Sequence, residues 1–165
     1  KQDYTIDEKR VFILGHSNGA FMAHRLAYER GADIAAIASL AGADEAGERQ
    51  IPPHPVHVLQ IHGTGDTAIA YDGGEIQGSA YPGAKQSVAN WAARNGCAGA
   101  GVDAGRLDLD SSVDGMETTV TRHASGCTAG GSAELWSIAD GAHLPELSEH
   151  FTPLVVEWLL GHPKP

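Results

Sequence analysis

A serine lies at the centre of a Gly-x-Ser-x-Gly turn, where Gly15 and Gly19 flank Ser17. The turn follows an apolar strand and opens a helix, which is the arrangement of a nucleophile elbow. An elbow strains the backbone of its central residue and lifts that side chain clear of the sheet. We expect both glycines to be required, because a Cβ at either position would collide with a neighbouring strand or helix. Ser17 is therefore the predicted nucleophile, and an ordinary βα turn is the alternative.

A carboxylate and a histidine follow this serine, in the order Ser17, Asp66, His143. Asp66 comes just after the apolar run 56–61, and His143 comes just after the run 133–138. Because the carboxyl ends of parallel strands meet at one edge of an open sheet, we expect the three side chains to share that edge. His143 would then take the proton from Ser17, while Asp66 would orient and stabilise the imidazolium. A histidine on a surface loop is the alternative interpretation of His143.

The backbone N–H of Asn18, directly after the serine, is predicted to donate to the oxyanion of a tetrahedral intermediate. The second donor of such a site comes from a loop after an earlier strand, and no such strand pattern precedes the elbow. We therefore expect residues 1–165 to form the C-terminal portion of a single catalytic domain. A preceding segment or a second polypeptide would complete the sheet and the oxyanion hole, and the chain alone would be unstable or nearly inactive.

The elements that position these groups alternate between strand and helix patterns, which is typical of a parallel α/β sheet. Strands are predicted over residues 10–14, 34–40, 56–61, 118–123 and 133–138, and helices over 18–30, 83–95 and 151–160. Residues 96–131 are rich in Gly and acidic side chains around a single predicted strand. The predicted fold is α/β, a mostly parallel sheet with helices on both faces, of which only the C-terminal part is present.

Composition narrows the classes of partner. The net charge of −10 disfavours nucleic acid and anionic membranes as partners, and no apolar run is long enough to span a bilayer.

No histidine pair shows a spacing typical of a zinc site, so we expect no metal. Proton transfer between a serine and a histidine needs no cofactor, so none is expected. His24 and His62 are expected to support or pack around the site.

Several motifs, taken in order, resemble a known family. They are the run 4–11 before the elbow, His62 to Asp66 with Tyr71 to Gly74, Trp91 through Asn95-Gly96-Cys97, and 134–138 before Gly141-Ala142-His143. This order resembles the α/β-hydrolase esterases grouped with extracellular polyhydroxybutyrate depolymerases and feruloyl or acetylxylan esterases. Members often carry Gly-Gly-His-x-Trp-Pro around the base, whereas residues 141–145 read Gly-Ala-His-Leu-Pro. The departure removes an aromatic residue and leaves the substrate preference open.

The resemblance implies an α/β-hydrolase fold and hydrolysis of a carboxylic ester through an acyl-enzyme, with Ser17, Asp66 and His143 as nucleophile, acid and base. The ester would be a polyhydroxyalkanoate, a feruloylated or acetylated polysaccharide, or a small soluble ester. Three residues are candidates for substrate contact, with packing as the alternative role: His16, Tyr71 and Trp136.

The resemblance also implies a disulfide between Cys97 and Cys127, which places the protein in an oxidising compartment, either secreted or periplasmic. Two isolated buried thiols are the alternative. A catalytically inactive binding protein of the same fold, and a peptidase or thioesterase with the same triad, remain open as functions.

Overall fold

The computed structural model describes residues 4–46 and 54–165, and strands and helices alternate along this part of the chain. The strands are β1 (Phe12–His16), β2 (Ala36–Leu40), β3 (His57–Gly63), β4 (Gly73–Ile76), β5 (Ser79–Pro82), β6 (Val102–Leu107), β7 (Thr118–His123) and β8 (Ser132–Ile138). The helices are α1 (Asn18–Glu29), α2 (Ala84–Arg94) and α3 (Phe151–Leu160).

Six strands form one sheet in the order β1-β2-β3-β8-β7-β6, and β4 pairs with β5 in a separate hairpin. The strands β1, β2, β3 and β8 are mutually parallel, whereas β7 and β6 continue the sheet in antiparallel register. Residues Ala36 to Leu40 are buried throughout, as expected for a strand covered on both faces. The sheet is therefore mixed. Its parallel part is followed by the predicted elbow at Ser17 and by the loops that carry Asp66 and His143.

Helices cover both faces of the sheet, because alternate residues of each buried strand point to opposite sides. On one face, side chains of α1 and α2 pack on Ile37 and Val58, with Trp91 at the centre. On the other face, α3 packs its Trp158 against a layer that includes Leu59. The prediction of an α/β sheet with a helical layer on each face is confirmed.

The loose segment between α2 and β8 departs from the predicted single strand, because β6 forms there as well as β7. Residues of β6 are almost all exposed, and its register shifts between Asp103 and Gly105. The predicted disulfide is confirmed: Cys97 and Cys127 are bonded across this segment. The cross-link joins the end of α2 to the approach to β8, where few apolar side chains are buried.

β1 lies at an edge of the sheet, and among residues 4–46 and 54–165 no strand pairs with its outer side. Leu14, in the middle of this strand, is 57% exposed, whereas leucines of inner strands are buried. In the same ranges, no helix has the length and apolarity needed to cross a membrane.

A histidine cluster lies at the opposite end of the sheet from the predicted catalytic rim. The imidazole of His57, at the start of β3, hydrogen bonds with Ser132 Oγ at 2.7 Å. The ring of His162 lies 4.7 Å from His57 and stacks on Trp158. Burial, followed by the charges of His162 and Lys164, lowers the pKa of His57 to about 4. His57 is thus uncharged in the folded protein at neutral pH.

Candidate active site

Ser17 occupies a tight turn between β1 and α1, and its backbone is strained. Its φ is 54° and its ψ is −120°, which is a region that non-glycine residues rarely adopt. The N–H of Ser17 donates to the carbonyl oxygen of Leu40 at 2.9 Å, so the end of β2 holds the turn in place. The strain and the anchoring together present the hydroxyl at the carboxyl end of the parallel strands.

The two glycines of the elbow differ in what they allow. A Cβ on Gly15 would lie 2.1 Å from the carbonyl oxygen of Gly19, which is far inside van der Waals contact. A Cβ on Gly19 would meet no atom within 4 Å. The expectation that both glycines avoid a collision therefore holds for Gly15 and is wrong for Gly19, because that position faces open space on α1.

Three predicted side chains meet at the end of the parallel strands. The Oγ of Ser17 lies 2.9 Å from His143 Nε2, and His143 Nδ1 lies 2.8 Å from Asp66 Oδ2. Ser17 follows β1, Asp66 follows β3 and His143 follows β8, so the parallel register brings the three loops to one rim. A hydroxyl, an imidazole and a carboxylate in this series can transfer a proton away from the serine.

The carboxylate of Asp66 is held by hydrogen bonds on both oxygens. Its Oδ1 accepts from the backbone N–H groups of Ala68 and Ile69, each at 2.8 Å, and its Oδ2 accepts from His143. Burial works to raise the pKa of Asp66, but the hydrogen bonds from His143, Ile69 and Ala68 outweigh it and hold the pKa below its ordinary value. Asp66 is therefore ionised at neutral pH and can stabilise a positive charge on His143.

Two loops approach closely beneath this carboxylate and imidazole. A Cβ on Gly63, at the end of β3, would lie 2.0 Å from the carbonyl oxygen of Gly141. The N–H of Gly65 also donates to that carbonyl oxygen, at 3.0 Å. The absence of a side chain at Gly63 thus lets the Asp66 loop and the His143 loop pack backbone to backbone.

Asn18 is the first residue of α1, and its N–H precedes the first intrahelical hydrogen bonds, which begin with Ala20 and Phe21 donating to Ser17 O. Asn18 and Ser17 both line a cavity of about 520 Å³. Asn18 thus borders the same cavity as Ser17, and the role of its N–H as an oxyanion donor stays a prediction.

The cavity beside Ser17 has mainly apolar walls. Its lining residues are Ser17, Asn18, Phe21, Asp44, Glu45, Ala46, Ile69, Ile76, Ser79, Ala80 and Tyr81. The rings of Phe21 and Tyr81 meet edge to face, with centroids 5.8 Å apart. The hydroxyl of Tyr81 accepts from the N–H of Ala70 at 2.9 Å, which fastens the β4–β5 hairpin to the Asp66 loop. One wall of the cavity thus belongs to a hairpin that the strand patterns did not predict.

Asp44 brings a buried charge to the same cavity. Its Oδ2 accepts from Arg94 at 2.6 Å and from Asn90 at 3.1 Å, and its Oδ1 accepts from the hydroxyl of Tyr28 at 3.2 Å. The guanidinium of Arg94 also lies over the rings of Tyr28 and Trp91. Because the carboxylate is fully paired, this side of the cavity is polar but electrostatically compensated.

The three candidates for substrate contact lie elsewhere. The ring Nε2 of His16 donates to the carbonyl oxygen of His143 at 2.9 Å, so His16 supports the loop of the predicted base. Trp136 is 4% exposed in the core and donates to Glu134, while the hydroxyl of Tyr71 bonds with Ser137 at 2.6 Å. None of the three lines the cavity at Ser17, because Tyr71 and Trp136 are buried in the apolar layers on the two faces of the sheet.

Residues that the sequence reasoning missed form the cavity wall: Phe21, Ile69, Ile76 and Tyr81. The strands β4 and β5 are joined by a two-residue turn in which Gln77 and Gly78 adopt positive φ angles, 50° and 79°. In the sequence, Gly78 is the one residue typical of such a turn, and the strands on either side of it are short. Within the described ranges, no three His, Cys, Asp or Glu side chains cluster as a metal site.

Comparison with known proteins finds two relatives whose names describe esterases. The chain is 33% identical over 104 residues to feruloyl esterase B of Piromyces equi, a match that covers 57% of this chain and 19% of the relative. It is 32% identical over 71 residues to the bifunctional acetylxylan esterase/xylanase XynS20E of Neocallimastix patriciarum, covering 43% of this chain and 10% of that protein. The chain thus matches only a fifth or less of each relative's length, and no family model matches it.

Proposed function

We propose that this chain is the catalytic part of a carboxylic ester hydrolase that acts through an acyl-enzyme on Ser17. The observation that carries the proposal is the hydrogen-bonded series Ser17, His143 and Asp66, of which Ser17 lines a cavity. Similarity to two proteins named as esterases supports the same reaction class.

In the proposed reaction, His143 Nε2 removes the hydroxyl proton as Ser17 Oγ attacks the carbonyl carbon of the ester. The negative charge passes to the carbonyl oxygen, where the N–H of Asn18 donates to it. The imidazolium, stabilised by ionised Asp66, then protonates the leaving alcohol, and an acyl group remains on Ser17. Water, activated by His143, releases the acid and restores the serine. No cofactor takes part.

The proposed fold is that of an α/β-hydrolase, since the elbow, the acid loop and the base loop follow parallel strands in the order this fold uses. The apolar cavity fits an uncharged acyl group. A feruloylated or acetylated polysaccharide, a polyhydroxyalkanoate or a small ester would supply it, and the names of the two relatives favour a polysaccharide ester. The disulfide fits an oxidising, extracellular location.

We also propose that another segment or a second polypeptide pairs with the outer edge of β1. The exposed Leu14 side chain supports this, because an apolar edge strand favours pairing with a further strand. The same segment would bring the second oxyanion donor to Ser17. Losing one such donor costs about 10²–10³ in turnover, so residues 1–165 alone would be poorly active.

Reaction with a serine-directed fluorophosphonate tests the proposal, with mass spectrometry of peptides to locate the adduct. We expect labelling at Ser17 that is lost in His143→Ala and retained in Ser79→Ala, which changes another serine of the same cavity. Without the fluorophosphonate, the protein should hydrolyse p-nitrophenyl esters in preference to peptide and thioester substrates, and labelling should abolish this activity. Failure of the full-length protein to label would contradict the hydrolase proposal and favour a binding protein of the same fold.

A further inference from the structure

A chain of buried polar side chains runs from α2 through the core to the loop that carries Asp66. Trp91 Nε1 lies 2.9 Å from His24 Nδ1, and His24 Nε2 lies 3.1 Å from Gln60 Oε1. The amide nitrogen of Gln60 lies 3.2 Å from His62 Nδ1 and 2.7 Å from the carbonyl oxygen of Gly42. Trp91, His24, Gln60 and His62, which we call the buried relay, are all 0% exposed.

The ends of the buried relay determine the direction of every hydrogen bond in it. The indole of Trp91 can only donate, so His24 accepts on Nδ1 and donates from Nε2. The carbonyl of Gly42 can only accept, so the amide nitrogen of Gln60 faces it and also donates to His62 Nδ1. His62 therefore carries its proton on Nε2. Burial lowers the pKa of both His24 and His62, so both imidazoles are neutral.

The last donor of the buried relay acts on the loop of the predicted catalytic acid. His62 Nε2–H donates to the carbonyl oxygen of Ile69 at 2.8 Å and lies 3.3 Å from Asp66 Oδ2. The N–H of the same Ile69 donates to Asp66 Oδ1. Ile69 thus links the two side chains: its carbonyl oxygen accepts from His62, and its N–H donates to Asp66.

We propose that His62 is a positioning residue for the reaction, which holds Asp66 in line with His143 through the loop 66–69. The role rests on the proposed ester hydrolysis. Gln60 and His24 act through His62, since they keep its proton on the nitrogen that faces Ile69. A leucine at position 62 would leave the buried carbonyl of Ile69 without a hydrogen-bond donor. Because an unpaired buried carbonyl is costly, the loop 66–69 would shift until this carbonyl accepts another hydrogen bond.

The geometry favours positioning over simple packing. Apolar side chains of similar volume fill a core without the cost of burying polar groups, and a polar network in a core is costly unless every member is satisfied. The buried relay is satisfied from end to end and terminates on the acid, whereas Leu59 and Ile61, on the same strand, pack against apolar neighbours.

The experiment compares His62→Leu with His62→Gln, which keeps an N–H donor near the position of Nε2. The destabilisation control is Leu59→Ala, a buried change on the same strand outside the buried relay. NMR records the low-field resonance of the His143 Nδ1 proton, which reports the hydrogen bond from His143 to Asp66; the imidazole also faces Ser17 and His16. Activity on a p-nitrophenyl ester is measured in parallel on the full-length protein.

We expect His62→Leu to weaken the low-field resonance of the His143 Nδ1 proton, because the hydrogen bond from this proton to Asp66 loses its alignment. For the same reason kcat should fall by about 10². His62→Gln should retain most of the resonance and of kcat, and Leu59→Ala should lower the melting temperature without changing the resonance. If His62→Leu does not fold, Gln60→Met frees the tautomer of His62 and should weaken the resonance of His143 in the same way.

An unchanged His143 resonance in folded His62→Leu or Gln60→Met, together with an active wild-type protein, would overturn the positioning role and leave the proposed hydrolysis standing. A wild-type protein that neither labels at Ser17 nor cleaves esters would overturn the proposed hydrolysis itself, and the positioning role with it. The two failures are distinguished by the wild-type measurement.

Discussion

Replacing the two elbow glycines by alanine adds the same methyl group at two neighbouring places and should give opposite results. On Gly15 the new Cβ would lie 2.1 Å from Gly19 O and 2.8 Å from Ala20 N, which are backbone atoms that no rotamer change can move. On Gly19 the new Cβ would point into open space. The pair is therefore a matched test of the elbow geometry.

The size of each effect follows from these distances. Carbon atoms rarely approach a backbone oxygen more closely than 3.0 Å, so β1 and the start of α1 must separate by about 1 Å in Gly15→Ala. A displacement of about 1 Å between reacting groups costs about 10² in rate. Overpacking of this kind also costs about 1–3 kcal/mol of stability. In Gly19→Ala, by contrast, helix propensity favours alanine by up to about 1 kcal/mol.

The assay is kcat/KM for a p-nitrophenyl ester together with the midpoint of urea unfolding, measured for both variants and the wild type in the same protein background. Gly15→Ala should lose about 10² in kcat/KM and unfold at lower urea, while Gly19→Ala should keep its activity and unfold at equal or higher urea. Equal losses in the two variants, or a Gly15→Ala enzyme within about threefold of wild type, would refute the reasoning.

Two further predictions concern stability. Because the pKa of His57 is about 4 in the folded protein and about 6.5 in an unfolded chain, the unfolded chain takes up the proton first, and the free energy of unfolding should decrease as pH falls from about 6.5 to about 4. Urea unfolding measured over this pH range should show a smaller decrease in the free energy of unfolding for His57→Gln than for the wild type. The control His150→Gln, which changes an exposed histidine, should match the wild type. A decrease in His57→Gln as large as in the wild type would contradict the assignment of this pH dependence to His57. The disulfide closes a loop of 30 residues, so the double variant Cys97→Ser/Cys127→Ser should lose about 3–4 kcal/mol in the free energy of unfolding. A loss below about 1 kcal/mol would show that the unfolded chain is already restricted in this segment.

Much of the six-stranded sheet and its helices is predictable from the sequence. The helix 151–160 and the strand 118–123 have the predicted limits, and α1 ends one residue before the predicted end. α3 buries Phe151, Val155, Trp158 and Leu159 at helical spacing, and buried and less buried residues alternate at the start of β7. The order of Ser17, Asp66 and His143, together with their positions directly after apolar strands, predicts that the three side chains meet, because parallel strands end at one edge of the sheet.

The missed elements lack that periodicity. β6 is exposed along most of its length and contains a register shift at Gly105, so nothing in its side chains alternates between core and solvent. The hairpin of β4 and β5 has strands of four residues each. Tyr81 of β5 fastens the hairpin to Ala70, after the Asp66 loop, and that tertiary contact leaves no local pattern.

The contacts around the predicted site were only partly accessible for the same reason. His62 was expected to support the site, but its link to His24 through Gln60 joins β3 to α1 across 36 residues of sequence. Tyr71 and Trp136 follow or lie on strands near the rim, and their position along the chain does not reveal which face they occupy. The closeness of Gly63 to Gly141 likewise depends on the pairing of β3 with β8.

That central pairing has a consequence for how the molecule reaches its active form. β3 and β8 are neighbours in the sheet but distant in the chain, and Ser17 and His143 are 126 residues apart. Contacts of such separation carry a large entropic cost of loop closure and form late in folding, whereas the helices can form locally and early. During refolding, the helical circular dichroism signal should therefore recover before Ser17 becomes reactive. The time course of fluorophosphonate labelling would then report when the sheet is complete.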